Sequence, residues 1–288
     1  MNYEFVVNSH CIIGEGPVWD SDTQKLWFID VRDQKVFCCD NRTLEKTLSF
    51  DQPVGFAVLR EKGGFVLGLR DGYYFSDMDG NITPIADPEP GRTDGRFNDG
   101  KVDPQGRVWG GTMCMTDGIE PGPDSGLYCL DENLKMTTKL TSVLQANGMA
   151  WNKEQDKFYF VDTMRRNVTE YRYDPQTGTL SEGRECIKVP EKDGLPDGMC
   201  LDDEGMVWLA LWGGYGVVRY DPTTGEILDK VELPCPNVTS CCFGGEKLDE
   251  LYITTAAILT DTQKYPLAGG VFKVKPGVCG RPSYKFKG

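Results

Sequence analysis

The sequence predicts an all-β protein, and three observations support that prediction. A short polar segment containing glycine or serine recurs six times, at spacings of 39 to 50 residues. Each copy is followed by short extended runs, which are separated by turns rich in Gly, Asp, Asn and Pro. No amphipathic stretch is long enough for the crossover helix of a parallel α/β fold. Such repeats are typical of antiparallel blades, so we predict one six-bladed β-propeller domain over residues 1–288.

The first element of each predicted blade is a strand that begins at the polar segment. The six segments are GEGP at 14–17, PVGF at 53–56, NDGK at 98–101, NGMA at 147–150, PDGM at 196–199 and VTSC at 238–241. The first strand of each blade lines the central channel of a propeller. We therefore expect a ring of equivalent positions: Glu15, Val54, Asn98 with Asp99, Asn147, Asp197 and Thr239.

The second element is a strand with an aromatic residue nine to twelve positions after the glycine or serine. These aromatic residues are Trp27, Phe65, Trp109, Tyr159, Trp208 and Tyr252. A third strand is predicted at 36–39, 73–75, 127–130, 170–173, 217–220 and 271–274. The opening segment 3–7 is expected to supply the missing outer strand of the last blade and so to close the ring.

Composition and motifs exclude several classes of function. The net charge of −13 would repel nucleic acid and an anionic membrane surface, so we expect neither as a partner. Eleven cysteines, an odd number without a Cys-x-x-Cys pair, predict thiols in a cytoplasmic protein. The only histidine, His10, lies outside the ring, and G-x-S-x-G, P-loop and G-x-G-x-x-G motifs are absent. Serine- or cysteine-based hydrolysis and nucleotide binding are therefore not expected.

The ring of polar positions predicts a cation site. Carboxylate and amide oxygens that converge in a channel repel one another unless a cation neutralises them. We predict one divalent cation between Glu15, Asn147 and Asp197. Two carboxylates, one amide and open positions for water suit calcium, magnesium or manganese, and zinc with an open position is also compatible. The alternative is that these residues cap strand ends and bind channel waters.

These motifs carry a resemblance to a known family. They are GEGP at 14–17, RFNDGK at 96–101, GTM at 111–113, NG at 147–148, PDGM at 196–199, SCCFGG at 240–245 and AGGVF at 268–272. From about residue 10 to residue 280, the chain resembles the gluconolactonase, regucalcin (senescence marker protein) and luciferin-regenerating enzyme family. The resemblance implies a six-bladed propeller with one catalytic divalent cation, whose ligands match Glu15, Asn147 and Asp197. It also implies that Arg96 and Asn98 contact sugar hydroxyls and that Asp197 is the general base.

The predicted function is hydrolysis of a sugar lactone, of gluconolactone or pentonolactone type, to the aldonic acid. This reaction needs an electrophile at the carbonyl, a positioned water and a proton acceptor. We expect the cation to polarise the carbonyl and Asp197 to act as the base. In a second version, Asp197 positions water that the metal has acidified. The rival functions are hydrolysis of another ester or an organophosphate at the same centre, calcium-dependent regulation, and a protein-interaction platform.

Three loops are expected to shape the channel mouth, at 84–91, 117–123 and 259–265. The first is proline-rich, which disfavours a regular strand. Some animal members of the family have a substrate-holding glutamate after the GTM motif, whereas this chain has Cys114, Met115 and Thr116 there. The sequence therefore leaves the substrate preference open.

Overall fold

The computed structural model describes residues 2–40, 42–115 and 125–288, and within these ranges it contains 24 strands. In chain order they are β1 (Glu4–Val7), β2 (Gly14–Asp20), β3 (Lys25–Asp30), β4 (Lys35–Cys39), β5 (Leu44–Ser49), β6 (Phe56–Leu59), β7 (Phe65–Gly68), β8 (Tyr73–Ser76), β9 (Ile82–Ala86), β10 (Gly95–Val102), β11 (Val108–Cys114), β12 (Ser125–Leu130), β13 (Met136–Val143), β14 (Ala146–Trp151), β15 (Lys157–Asp162), β16 (Asn167–Asp174), β17 (Thr179–Lys188), β18 (Leu195–Leu201), β19 (Val207–Trp212), β20 (Gly216–Tyr220), β21 (Ile227–Glu232), β22 (Val238–Gly244), β23 (Glu250–Thr255) and β24 (Val271–Val274). One turn of 3₁₀ helix, Glu191–Asp193, is the only helix in the part of the chain described.

The strands form six antiparallel sheets of four strands each within the described residues. Blades 1 to 5 are β2–β5, β6–β9, β10–β13, β14–β17 and β18–β21, and blade 6 combines β22–β24 with β1. The innermost strands β2, β6, β10, β14, β18 and β22 contact one another in a closed ring. The predicted six-bladed β-propeller is therefore confirmed. The predicted closure is confirmed as well, because β1 pairs with β24 through Phe5 and Phe272.

The core lies between neighbouring blades, where the aromatic residues of the second strands pack. All six predicted aromatic residues are buried. Trp27 of blade 1, for example, meets Phe65 of blade 2 edge to face, with ring centroids 4.8 Å apart. Burial of large apolar side chains is the main favourable term in folding. The repeated aromatic position thus joins each blade to its neighbours.

The face at which the innermost strands begin is called the upper face here, and the opposite face the lower face. The turns between first and second strands lie on the lower face, and two of them share the pattern D-x-x-G-x-x-W, at 103–109 and 202–208. In each, the aspartate accepts a hydrogen bond from the tryptophan Nε1, at 2.9 Å for both Asp103 with Trp109 and Asp202 with Trp208. An arginine also pairs with each aspartate. These carboxylates are satisfied structural groups.

The C-terminal residues 279–288, called the strap, cross the lower face. Gly280 forms a bridge with Asp202 of blade 5, and Phe286 bridges to Arg60 of blade 2. Between these points Lys285 binds Asp20 and Asp22 of blade 1, at 2.8 and 2.7 Å. The strap therefore ties blade 5 to blades 1 and 2.

One loop prediction was wrong in part. Residues 84–86 belong to β9, where Pro84 faces Tyr74 across the outer edge of blade 2. An outer strand tolerates proline because its N–H would not be needed in the ladder. Residues 259–265 do lie outside strands on the upper face, whereas the predicted loop 117–123 falls outside the described residues.

All eleven cysteines are free thiols, and ten of them are buried. Within the described residues, no helix has the length and apolar character needed to cross a membrane.

Candidate metal centre

The innermost strands depart from regular pairing where the predicted site residues lie. In five blades the register with the second strand shifts at the polar segment, between Glu15 and Val18, Phe97 and Asp99, Ala146 and Met149, Pro196 and Met199, and Val238 and Ser240. Such bulges re-aim side chains and occur frequently beside active sites. The local irregularity places Glu15, Asn98, Asn147 and Asp197 in or next to unpaired backbone.

The glycines after Asn147 and Asp197 allow neighbouring innermost strands to approach closely. A Cβ at Gly148 would lie 2.6 Å from the backbone nitrogen of Met199 and 2.8 Å from the backbone carbonyl oxygen of Asp197. A Cβ at Gly198 would lie 2.1 Å from Ser240 Oγ. Side chains at these two positions would push blade 4 from blade 5 and blade 5 from blade 6. The Asn-Gly pair thus brings the ligand-bearing strands β14 and β18 together, and the Asp-Gly pair lets β18 lie against β22.

Asn147 and Asp197 are in direct contact in the channel. The Asn147 Nδ2 donates hydrogen bonds to Asp197 Oδ1 and to Thr163 Oγ1, the latter at 3.1 Å. Thr163 in turn donates to the Pro196 carbonyl at 2.8 Å, which fixes its hydroxyl. With its nitrogen used in this way, the buried Asn147 Oδ1 has no hydrogen-bond partner among the described residues.

Glu15 and Asp197 form a pair of buried carboxyls in the channel. Their residues are 8% and 7% exposed, and Asp99 beside them is 7% exposed. Burial raises the pKa of Glu15 well above its usual range, and the charges of Asp197 and Asp99 raise it further. Burial and Asp99 raise the pKa of Asp197 as well, although hydrogen bonds with Asn147 and Glu15 and the charge of Arg96 act in the opposite direction. The cluster therefore concentrates negative charge where water cannot screen it.

Arg96 and Asn98, the predicted substrate contacts, lie beside this cluster. Burial lowers the pKa of Arg96 to about 10, with a further contribution from Arg32, while Glu15 and Asp197 favour its charged form. Its guanidinium also donates to the Phe97 carbonyl at 2.7 Å. Asn98 Nδ2 donates to the carbonyl of Ala146, the residue before Asn147, at 2.8 Å. Both side chains remain partly exposed and retain polar atoms for a ligand.

The donor set fits a hard divalent cation. Asn147 Oδ1 is an acceptor without a donor, and the buried carboxyl groups of Glu15 and Asp197 share the channel with it. Oxygen ligands of these types suit calcium and magnesium. No three His, Cys, Asp or Glu side chains in the described ranges have an arrangement that could hold a metal ion. A cation here would thus depend on the amide oxygen of Asn147.

Not all the expected ring positions join the cluster. Val54 is buried in the core between blades 1 and 2. Thr239 donates its hydroxyl to the Gly14 carbonyl at 2.6 Å and so ties blade 6 to blade 1. Sequence reasoning did not identify Thr163, which lies outside the repeated segments, or Lys101, because the other five segments end in an uncharged residue. The segment NDGK does contain Lys101, three residues after Asn98.

A six-bladed propeller with a carboxylate and amide cluster in its central channel defines the class of this protein. Within that class, residues 13–257 match the family described as SMP-30/Gluconolactonase/LRE-like region. The chain belongs to this family.

Relatives and solved structures agree with this assignment over the whole chain. Regucalcin of Danio rerio is 38% identical over 292 residues, covering 99% of this chain and 98% of that protein. A luciferin-regenerating enzyme has a similar structure, with a TM-score of 0.92, 33% identity and 99% coverage of both chains. Regucalcin from Agrobacterium tumefaciens strain C58, described as a calcium-binding protein, has a TM-score of 0.91 at 23% identity, with coverage of 98% and 96%.

Proposed function

We propose that this protein is a metal-dependent lactonase, which opens a sugar lactone of gluconolactone or pentonolactone type to the aldonic acid. The observation that carries the proposal is the acceptor set in the channel, formed by the unpartnered Oδ1 of Asn147 and the converging buried carboxyls of Glu15 and Asp197. Membership of a family described by gluconolactonase supports the lactone as substrate class. The proposal treats residues 1–288 as one catalytic unit, because β1 and β24 complete one blade together.

Glu15, Asn147 and Asp197 would hold the cation. When bound there, a divalent cation supplies a Lewis acid for the ester carbonyl and acidifies nearby water. The calcium-binding description of the bacterial regucalcin makes calcium one candidate, beside magnesium, manganese and zinc. Thr163 supports this role by holding the amide nitrogen of Asn147, so that only the amide oxygen is left for a ligand.

Asp197 would accept a proton from the attacking water. It takes this proton as the hydroxyl adds to the carbonyl carbon and returns it to the ring oxygen as the ester C–O bond breaks. Arg96 stays protonated at neutral pH, since its pKa is about 10, and its planar guanidinium is suited to ring hydroxyls. Asn98 would add a polar contact from the same strand. These residues bind and orient the lactone beside the base.

The test measures proton release from a panel of sugar lactones. Chelated protein is assayed before and after magnesium, manganese, calcium, zinc or iron is added back. We expect no turnover without metal and restored turnover with at least one ion. The matched control is Asp197→Asn, which keeps the size of the side chain and removes its charge, and which should stay inactive with every ion.

Two outcomes would redirect the proposal. Cation binding without turnover of any lactone, ester or organophosphate would favour a calcium-binding regulatory protein. Turnover of an ester or organophosphate but of no lactone would keep the metal centre and change the substrate class. The cytoplasmic location and the absence of nucleic-acid and membrane partners stay predictions.

A further inference from the structure

The side chain of Lys101 crosses the central channel. Lys101 lies on β10 in blade 3, and its Nζ donates to the Met199 carbonyl on β18 at 2.8 Å. β18 belongs to blade 5, and blade 4 lies between these two blades. The lysine therefore spans the channel itself and not an interface between adjacent blades.

Lys101 also marks the lower limit of the carboxylate cluster. The channel contains a cavity of about 110 Å³ between the cluster and the lower face. Asp99 and Lys101 line its wall together with Arg281 and Tyr284 of the strap. The ammonium group thus lies between the proposed cation site and the closed lower end of the channel.

Asp99 gives the channel a third carboxyl that the proposed ligand set does not use. Its Oδ1 accepts a hydrogen bond from the Gly100 nitrogen at 2.7 Å. Burial raises the pKa of Asp99, whereas the charge of Lys101 lowers it. The charge of Asp99 in turn raises the pKa values of Glu15 and Asp197. Lys101 is therefore the cation placed to offset the unused carboxylate.

We propose that Lys101 is a positioning residue that forms a cationic floor beneath the metal centre. Its ammonium offsets the charge of Asp99 and holds β18, the strand that carries Asp197. A buried carboxylate without a counter-charge would add its full attraction to any cation in the channel. The floor consequently keeps the affinity for the divalent cation moderate, so that the ion exchanges with solvent. This inference rests on the proposed function, because it assumes a cation at Glu15, Asn147 and Asp197.

The direct test is Lys101→Met, which keeps most of the side-chain length and removes the charge. Chelated protein is titrated with calcium and, separately, with manganese by calorimetry at low ionic strength. We expect the Kd of each ion to fall at least tenfold, or about 1.4 kcal/mol, because Asp99 then acts on the cation unopposed. A purely structural role predicts the opposite, since loss of the Met199 contact would loosen β18 and weaken binding.

Two control variants isolate the charge at this position. Lys101→Arg keeps the charge and should leave both Kd values within about threefold of wild type. Lys273→Met changes the net charge of the chain equally, from −13 to −14, but removes a lysine that pairs with Glu250 on blade 6. It should leave cation binding unchanged. Thermal unfolding of the metal-free proteins checks that each variant is folded.

Asp99→Asn provides a second test that does not depend on the lysine variants. With Asp99 neutral, the charge of Lys101 is unopposed, so the Kd of both ions should rise at least tenfold. The double variant Asp99→Asn, Lys101→Met should return close to wild type. If wild type binds no divalent cation, the proposed function fails. If wild type binds and neither Lys101→Met nor Asp99→Asn shifts the Kd in the stated direction, the cationic floor is wrong and the proposed function stands.

Discussion

Buried carboxylates occur in two regions of this propeller, and their surroundings are opposite. On the lower face, the side chain of Asp202 is fully buried and accepts hydrogen bonds from Trp208, Arg219 and two backbone nitrogens. Asp103 has the same kinds of partner in blade 3, and it also accepts a hydrogen bond from the Tyr173 hydroxyl. In the channel, Glu15 and Asp197 instead face each other and Asp99, and their pKa values are raised by burial.

The difference separates structural from functional acidic residues in one fold. A paired and hydrogen-bonded carboxylate contributes to stability, whereas converging carboxylates without a cation cost stability. A protein retains such an unfavourable cluster where the binding of a ligand relieves it. The channel cluster is therefore the part of the molecule arranged for binding. Substitutions in the two regions should therefore have opposite effects on stability and activity.

The largest expected effect is that of Asp197→Ala on turnover. Loss of the proposed base and of one cation ligand should reduce kcat/KM by at least 10⁴-fold, or roughly 5.5 kcal/mol. The metal-free variant should unfold at the same temperature as wild type or higher, because one of the clustered charges is gone. Steady-state kinetics and calorimetric unfolding measure both quantities. Normal activity with metal present would eliminate Asp197 from the mechanism.

Asp202→Ala should have the reverse pattern. It leaves the Trp208 indole and the Arg219 guanidinium without their buried acceptor, so the free energy of unfolding should fall by about 3–5 kcal/mol. Turnover per folded molecule should remain near wild type, since the residue lies on the lower face. Denaturant unfolding and active-site-normalised kinetics provide the measurements. A variant of unchanged stability but low kcat would contradict the division into two regions.

Asn98→Ala tests a residue that combines a structural contact with a proposed contact to substrate. The side chain binds the Ala146 carbonyl beside Asn147, so it has both a structural contact and a free oxygen for substrate. We expect kcat/KM to fall about 10- to 100-fold, mainly through KM, while cation affinity is retained. Kinetics and metal titration on the same preparation distinguish the roles. Loss of the cation would make Asn98 part of the metal centre.

The smallest expected effect is at the strap. Partial burial acts to raise the pKa of Asp20, but hydrogen bonds from Lys285 and Thr23 and the charge of Lys285 lower it below its ordinary value of 3.8. A carboxyl group whose pKa is lowered in the folded state stabilises the fold fully at pH values above its ordinary pKa. This stabilisation is lost as the pH falls below that value and through the lowered pKa. Lys285→Met should therefore reduce the free energy of unfolding by about 0.5–1 kcal/mol at pH 7 and by less near pH 3.

The matched control for the strap is Lys287→Met. Lys287 is a neighbouring exposed lysine that has no carboxylate partner among the described residues. It should change stability by less than Lys285→Met at both pH values. Equal losses for the two variants, or a loss independent of pH, would show that the ion pair with Asp20 is not the cause.

The repeat made the blades and the cluster predictable because equivalent positions of a propeller converge on one axis. Glu15, Asn147 and Asp197 could be selected in this way, and the glycines after Asn147 and Asp197 matter because their strands approach closely. Thr163 and Lys101 could not be selected. Thr163 lies outside the repeated segments, and the other five segments have no charged residue at the place of Lys101, so nothing in the pattern indicates the contact that each makes across blades. Thr239 occupies the equivalent position in its repeat, but its hydroxyl donates a hydrogen bond to the Gly14 carbonyl. The spacing of the repeats does not predict this contact.

The pairing of β1 with β24 sets the order in which the chain can fold during synthesis. Five sheets contain strands that follow one another directly, whereas blade 6 joins residues 4–7 to residues 271–274. The first strand must therefore wait, unpaired, until the last has left the ribosome. Closing so long a loop costs little more entropy than closing one of half the length, but it delays the step. Until the two strands pair, first β1 and later also β24 have unpaired edges, which makes the period before closure the one most exposed to aggregation.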